Sequence, residues 1–312
     1  MNPTNPTQPV TSGSDAAFGP DFKAGFINLL GKPNAGKSSL LNALVGEPLS
    51  IVTPKAQTTR SRCLGMLQGE GYQLILGDTP GYLEARYALQ RMMTRSIETA
   101  LEDADALAWV ADLRDDPGTE SFLPSLLPTT MPILLVLNQA DTLDQAGRDQ
   151  QIALWQQAFA GLPTLTTSCV SGEGVDALRS WMLEVLPVHP PYFDPEQLTD
   201  LTDRVMASEW VREQIFLKYH QEIPYASHVV TESFKEEEKI LRIECTIYVE
   251  RDSQKGIVIG AKGSALKAVG TAARQQMEKF WGRPVYLGLH VKVRNDWRDD
   301  QRMLKYFGYT AE

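Results

Sequence analysis

Gly31-Lys32-Pro33-Asn34-Ala35-Gly36-Lys37-Ser38 is the stretch around which the chain is organised. An apolar run, Ala24 to Leu30, precedes it, and an amphipathic one, Ser39 to Val45, follows. That order reads as strand, glycine loop and helix, with Gly46 as a left-handed cap. The spacing fits G-x-x-x-x-G-K-[ST], the loop whose backbone N–H groups cradle nucleotide phosphates. Glycine lets the backbone wrap closely around an anion. The helix N-terminus adds the positive end of its dipole. Lys37 is expected to reach the β- and γ-phosphates and Ser38 to ligate magnesium, with Ser39 counted in the same phosphate-binding set.

Outward from the loop, the polar run Ser50 to Arg60 reads as a loop, and strands are expected at Cys63–Leu67 and Tyr72–Leu76. The second strand runs into Asp78-Thr79-Pro80-Gly81, roughly 40 residues after the glycine loop. An Asp at such a strand end holds magnesium in P-loop nucleotidases, usually through water, and a Gly three residues on lets a backbone N–H approach the γ-phosphate. Leu89 to Leu101 looks helical, and apolar runs follow at Ala106–Ala111, Pro132–Leu137 and Pro163–Thr167. The run at Pro132 ends in Asn138-Gln139-Ala140-Asp141, where Asp141 can accept from the guanine N1–H and 2-amine; adenine does not offer both. The run at Pro163 ends at Ser168-Cys169, and a helix from Gly174 to Leu186 completes the set. Strands alternating with helices argue an α/β fold, a mostly parallel sheet with helices on both faces. All candidate site residues fall just after strand ends, where such sheets bind ligands.

The proline-rich stretch Leu186 to Pro195 is stiff and poor in donors, and marks a boundary. Beyond it the order is α-β-β-α-α-β: a helix at Asp203–Tyr219, strands at Ser227–Phe234 and Ile240–Val249, the apolar segment Gly256-Ile257-Val258-Ile259 running into Gly260-Ala261-Lys262-Gly263, a helix at Ala265–Phe280, and a strand at Val285–Val293. A KH module uses a G-x-x-G loop to clamp nucleotides along their backbone. Lys262 adds attraction to phosphate, and Lys255, Lys267 and Arg274 are placed to extend a basic face. The domains expected are a disordered tail (1–21), a nucleotide-binding domain (22–187), a linker (188–202) and an α+β RNA-binding domain (203–312).

Charge supports two differently tasked halves. The net charge is −9, yet residues 251–312 hold 12 Lys and Arg against 6 Asp and Glu. An acidic body with a basic end suits an anionic partner at that end. The three cysteines are too scattered for a metal spacing and fit a reducing compartment. No run approaches the length of a membrane span, and the first 20 residues lack the pattern of a secretory signal.

Taken together, Gly31 to Ser38, Lys55-Ala56-Gln57-Thr58-Thr59-Arg60, Asp78-Thr79-Pro80-Gly81, Met206-Ala207-Ser208-Glu209 and Val258 to Gly263 resemble the bacterial Era GTPases over nearly the whole chain after the tail. The resemblance implies a Ras-like P-loop GTPase domain followed by a type II KH domain. It implies binding to the 3′ end of small-subunit ribosomal RNA and help in maturing the 30S subunit. It also implies a cytoplasmic, monomeric protein with peripheral contact at the inner membrane face. Carried over residue by residue, Gly31 to Ser38 hold the phosphates of GTP or GDP. Thr59, with Thr58 as the alternative, meets magnesium beside Ser38 and Asp78. Asp78 and Gly81 sense the γ-phosphate, Asn138 and Asp141 read guanine, and Ser168 and Cys169 back the base. Gly260 to Gly263 grip RNA.

Three positions depart from that pattern. Gln139 stands where the base-reading motif normally has lysine, and Cys169 where a small alanine is usual. Tyr82 follows Gly81 where Ras-type hydrolysis positions water with a glutamine, so slow intrinsic turnover is expected and no side chain is assigned as base. Asn34 is a candidate ligand for potassium standing where an arginine finger would put its charge. Two rivals remain at this level: an RNA-binding scaffold with a weak nucleotide site, and a P-loop ATPase, which Asn138 and Asp141 disfavour.

Overall fold

β1 (Lys23–Leu30) is buried from Ala24 onward and lies inside a six-stranded sheet. The structure is a computed structural model, and it describes residues 18–120 and 131–309. Most of the tail expected over 1–21 therefore lies outside the described residues. The strands are β1, β2 (Cys63–Gly69), β3 (Tyr72–Asp78), β4 (Ala106–Asp112), β5 (Ile133–Asn138) and β6 (Thr164–Thr166), in the order β2-β3-β1-β4-β5-β6. Only β2 runs antiparallel to its neighbour. Near-continuous apolar runs such as Ile133–Leu137 are what a parallel strand covered on both faces requires. The helices are α1 (Lys37–Val45), α2 (Ala88–Glu102), α3 (Gln145–Ala158) and α4 (Val175–Val185). Trp109, Leu135, Leu137 and Trp155 form the centre of one core layer, with Trp155 stacked on Phe159.

β2 is an edge strand, and an exposed edge templates unwanted pairing. The proline-rich stretch covers it. Met66 N–H donates to Leu198 C=O (2.9 Å), Thr199 Oγ1 to Leu64 C=O (2.7 Å), and Leu64 N–H to Asp200 Oδ1 (2.8 Å). The later part of the linker expected over 188–202, at Leu198, Thr199 and Asp200, is thus strapped to the sheet. Gln73, fully buried on β3, fastens the strap: its Oε1 accepts from Tyr192 and Phe193 N–H (2.7 and 3.0 Å), and its Nε2 donates to Phe193 C=O (2.9 Å).

The chain divides into two compact units: residues 1–50, 59–83 and 96–200, and residues 51–58, 84–95 and 201–312. The second therefore holds two segments that the sequence reading assigned to the nucleotide domain. It also holds α5 (Asp203–Lys218), α6 (Ile223–Ala226), α7 (Asp252–Ile259), α8 (Ser264–Trp281) and α9 (Gln301–Tyr306), with β7 (His228–Glu236), β8 (Leu241–Val249) and β9 (Val285–Val293). The sheet order is β7-β8-β9, with β7–β8 antiparallel and β8–β9 parallel. Trp210 of α5 meets Phe280 and Trp281 of α8 edge-on at 5.0 and 5.1 Å. Two short helices, α6 and α9, were not expected. Trp297 Nε1 donates to Ala226 C=O at the end of α6 (2.9 Å), and Phe307 just after α9 packs on His228 at 4.1 Å. Among the described residues no helix is long and apolar enough to cross a membrane.

Gln73→Leu keeps the volume of the side chain but leaves two backbone N–H groups and one carbonyl of the strap without partners. It is expected to lower unfolding stability by about 2–4 kcal/mol in urea and to open the 190–197 stretch to limited proteolysis. Wild-type stability with an unchanged cleavage pattern would contradict this role.

Candidate functional site

The glycine loop turns between the end of β1 and the start of α1, and its shape is set by close approach. Gly36 has φ 94°, and a Cβ there would lie 2.1 Å from Asn138 Nδ2. Gly81 presses against the loop from β3: a Cβ there would lie 2.5 Å from Pro33 N. Neither position admits a side chain without displacing a neighbour. Lys37 is buried, and its Nζ donates to Gly31 C=O (3.0 Å) and Lys32 C=O (2.8 Å). Burial brings its amine down to about 8 from 10.5, with the carboxylates of Asp78 and Glu120 pulling the other way.

Ser38, Thr59 and Asp78 converge. Ser38 Oγ donates to Asp78 Oδ2 (2.6 Å), Thr59 Oγ1 donates to the same oxygen (3.3 Å), and the two hydroxyl oxygens are 3.0 Å apart. Thr58 faces elsewhere: its hydroxyl meets Thr53 Oγ1 (3.0 Å) and donates to Lys55 C=O (2.7 Å). Burial raises the Asp78 carboxyl above its ordinary value, while the Ser38 hydroxyl and the Lys37 charge oppose the rise. Asp78 Oδ1 is buried with no hydrogen-bond partner. Thr79 Oγ1 donates to Leu29 C=O (2.8 Å), which anchors the turn after β3. Tyr82 N–H donates to Gly31 C=O (3.0 Å), and its ring packs against the Trp109 core layer.

The turn after β5 is tied to the loop by side chains. Asn138 Nδ2 donates to Ala35 C=O (2.9 Å), and Asn138 Oδ1 accepts from Thr167 Oγ1 (3.1 Å). Ser168 Oγ donates to Asp141 Oδ1 (2.5 Å) and itself accepts from the N–H groups of Val170 and Ser171 (both 3.2 Å). Asp141 is exposed. Cys169 lies beside Asn138, and burial pushes its thiol up to about 11. The expected residues of this unit thus gather at the C-terminal edge of one sheet. Sequence reading missed Arg114 and Glu120. Arg114 grips Asp112 and reaches Gln139 (2.8 Å); its only signal was a charged run directly after an apolar strand. Glu120, buried at 1% exposure and 3.6 Å from Lys32 Nζ, carried no signal at all.

In the other unit α7 ends at Gly260, and Ala261–Gly263 form a single tight turn before α8. Lys262 sits at φ 51° with its side chain exposed. Lys267 is exposed on the first turns of α8, and Lys255 is half-buried on α7. Arg274, by contrast, is paired with Glu278 (2.8 Å). Tyr219 Oη donates to Val258 C=O (2.7 Å), which fixes α7 just before the loop. The segment 51–58 lies on α5: Val52 N–H donates to Glu213 Oε1 (3.0 Å), and Lys55 Nζ donates to the carbonyls of Phe216 and, at 2.6 Å, Tyr219. The segment 84–95 is held by Ala88 N–H on Asp299 Oδ1 (2.9 Å) and by Arg298 over the Tyr87 ring (5.0 Å).

Residues 26–139 match the family model for a 50S ribosome-binding GTPase, and residues 222–298 match the KH domain model. The GTPase Era of Syntrophus aciditrophicus is 41% identical over 297 residues, covering 93% of this chain and 96% of that protein. That of Geobacter metallireducens is 39% identical, covering 93% and 98%. Two solved structures superpose with a TM-score of 0.88 at 34% identity, each covering 93% of this chain and all of the other. One is Era in complex with MgGDPNP and nucleotides 1506–1542 of 16S ribosomal RNA. The other is a point variant of Aquifex aeolicus Era bound to GDP and aluminium fluoride.

Burial raises the Glu120 carboxyl from 4.5 to about 7, with Lys32 opposing. Its contribution to stability is complete below about pH 4.5 and is lost as pH rises through about 7. Unfolding stability of Glu120→Gln is therefore expected to be flatter than wild type between pH 5 and 8, the two diverging by up to about 3 kcal/mol. Parallel pH profiles would contradict the assignment.

Proposed function

The chain belongs to the Era family of GTPases, and on that premise we propose that it is a GTP-driven switch that binds the 3′ end of 16S ribosomal RNA and assists 30S assembly. It is a GTPase with a KH module. The observation that carries the switch reading is the meeting of Thr59 with Ser38 and Asp78, in a chain whose preceding segment, 51–58, packs on the KH-bearing unit.

Residues 31–39 receive the phosphates, with Lys37 as the buried cation and Gly81 bringing its backbone alongside. Thr79 and Pro80 shape that approach. The donor set at Ser38, Thr59 and Asp78 fits magnesium: two hydroxyls and a carboxylate are hard oxygen ligands, and the unpartnered Asp78 Oδ1 is an acceptor that a cation would satisfy. The metal, when bound, neutralises charge on the phosphate oxygens. Asn138 holds the base-reading turn to the phosphate loop, Asp141 takes the guanine N1–H and 2-amine, and Ser168 and Cys169 flank it. Lys262, with the backbone of Gly260 to Gly263, meets RNA phosphates, and Lys255 and Lys267 add charge. We place the protein in the cytoplasm as a monomer, with peripheral membrane contact.

Tyr82, half-buried against the Trp109 core layer, supplies no carboxamide to position a water, and intrinsic hydrolysis is expected to be slow. Asn34, left-handed at φ 66° at the exposed rim of the loop, is our candidate potassium ligand. Hydrolysis should rise several-fold in potassium over sodium, and Asn34→Ala should lose that rise. Equal wild-type rates in the two salts would refute it.

Ordering of the segment that ends at Thr59 is the coupling step, since its Lys55 and Val52 are already bonded to α5. Affinity for a 16S 3′-end oligonucleotide is expected to differ by about ten-fold or more between the GTP-analogue and GDP forms. Identical affinities would refute a switch and leave an RNA-binding scaffold.

A further inference from the structure

Gln139 occupies the position where the sequence pattern leads one to expect lysine, and its surroundings show what replaced the cation. Arg114 Nε and Nη2 clasp the two oxygens of Asp112 (2.9 and 2.6 Å), and the Arg114 N–H also bonds Asp112 Oδ1 (3.0 Å). That grip fixes an otherwise half-exposed guanidinium. The same Nη2 donates to Gln139 Oε1 (2.8 Å), and Gln139 Nε2 donates to Asn34 C=O in the phosphate loop (2.9 Å). A carboxamide has one acceptor edge and one donor edge, a guanidinium only donors, and a carbonyl only an acceptor. The two neighbours therefore admit a single orientation of Gln139. The backbone of Gln139 is left-handed at φ 63°, a conformation disfavoured for a side-chain-bearing residue, and its carbonyl accepts from Thr142 N–H (3.1 Å) and Thr142 Oγ1 (2.6 Å). Asp112, Asp115 and Asp141 all surround the Arg114 charge.

We propose that Arg114 is a positioning residue for guanine-nucleotide recognition: by orienting Gln139 it locks the Asn138–Asp141 turn to the phosphate loop. The proposal rests on the reading that Asp141 meets the base. It also makes Arg114 and Gln139 a matched pair. A lysine at 139 has no acceptor for Arg114 and faces it with like charge, whereas a lysine without Arg114 has room beside Asp112.

The test compares GDP and IDP affinities by titration for wild type, Arg114→Ala, Gln139→Lys and the double variant, with melting points measured without nucleotide. Inosine lacks the 2-amine that Asp141 takes. Arg114→Ala is expected to weaken GDP by about ten-fold and IDP by less, so discrimination falls while the melting point stays. Gln139→Lys should weaken GDP similarly, and the double variant should return to within about two-fold of wild type. Wild-type GDP affinity in Arg114→Ala, or a double variant as weak as the two losses combined, overturns the pair. A wild type that does not distinguish GDP from IDP overturns the Asp141 reading itself and the proposal with it.

Discussion

Lys37 at the start of α1 and Asp78 at the end of β3 are buried charges of opposite sign, and the hydrogen bonds of each go to other groups. Lys37 spends its hydrogen bonds on the carbonyls of Gly31 and Lys32, and Asp78 is bonded at one oxygen only. Burying charge without full compensation is costly. Both groups are shifted toward neutrality by burial, the amine downward and the carboxyl upward. An anion relieves the first and a cation relieves the second. A phosphate carrying its metal would offer both at once. The rest of the first unit exists to hold these two groups in register.

The sheet does that holding through its order. Leu29 pairs with Asp78 across β1 and β3, and Asp112 pairs with Asn138 across β4 and β5. Each pairing sets two strand ends side by side, so four loops open on the same edge. The strap over β2 closes the far side of the sheet without adding a strand. In the second unit the same economy appears around α7. Tyr219 bonds its last turn, Gln254 accepts from the N–H groups of Glu250 and Arg251 at its start, and Arg298 clasps Glu250. The helix that presents the glycine turn is therefore fixed at both ends by residues distant in sequence.

Much of this was legible because it is local. Glycine spacing, apolar runs of strand length and residues at strand ends are all written within about ten positions of one another. Thr59 is preferred to Thr58 on the resemblance alone, because which hydroxyl turns toward Asp78 depends on one backbone peptide. The linker read as a spacer since proline removes donors. Its capture by Gln73 depends on a buried amide more than a hundred residues away. Glu120 carries no pattern of its own and Arg114 only a charged run after a strand, and both acquire meaning from what the fold brings beside them. Segments 51–58 and 84–95 read correctly as loop and helix start, yet their packing partners lie on α5 and at Arg298 and Asp299, which no local pattern encodes.

The cysteines draw a last consequence. Cys63 and Cys245 are buried, Cys169 sits beside Asn138, and burial raises all three thiols, Cys169 and Cys245 to about 11. Oxidants and alkylating reagents act on the thiolate, so burial slows the reaction of these sulfurs. The chain is a ready background for labelling chemistry: a single cysteine introduced on an exposed position would outcompete its native thiols for a reagent and report from that position alone.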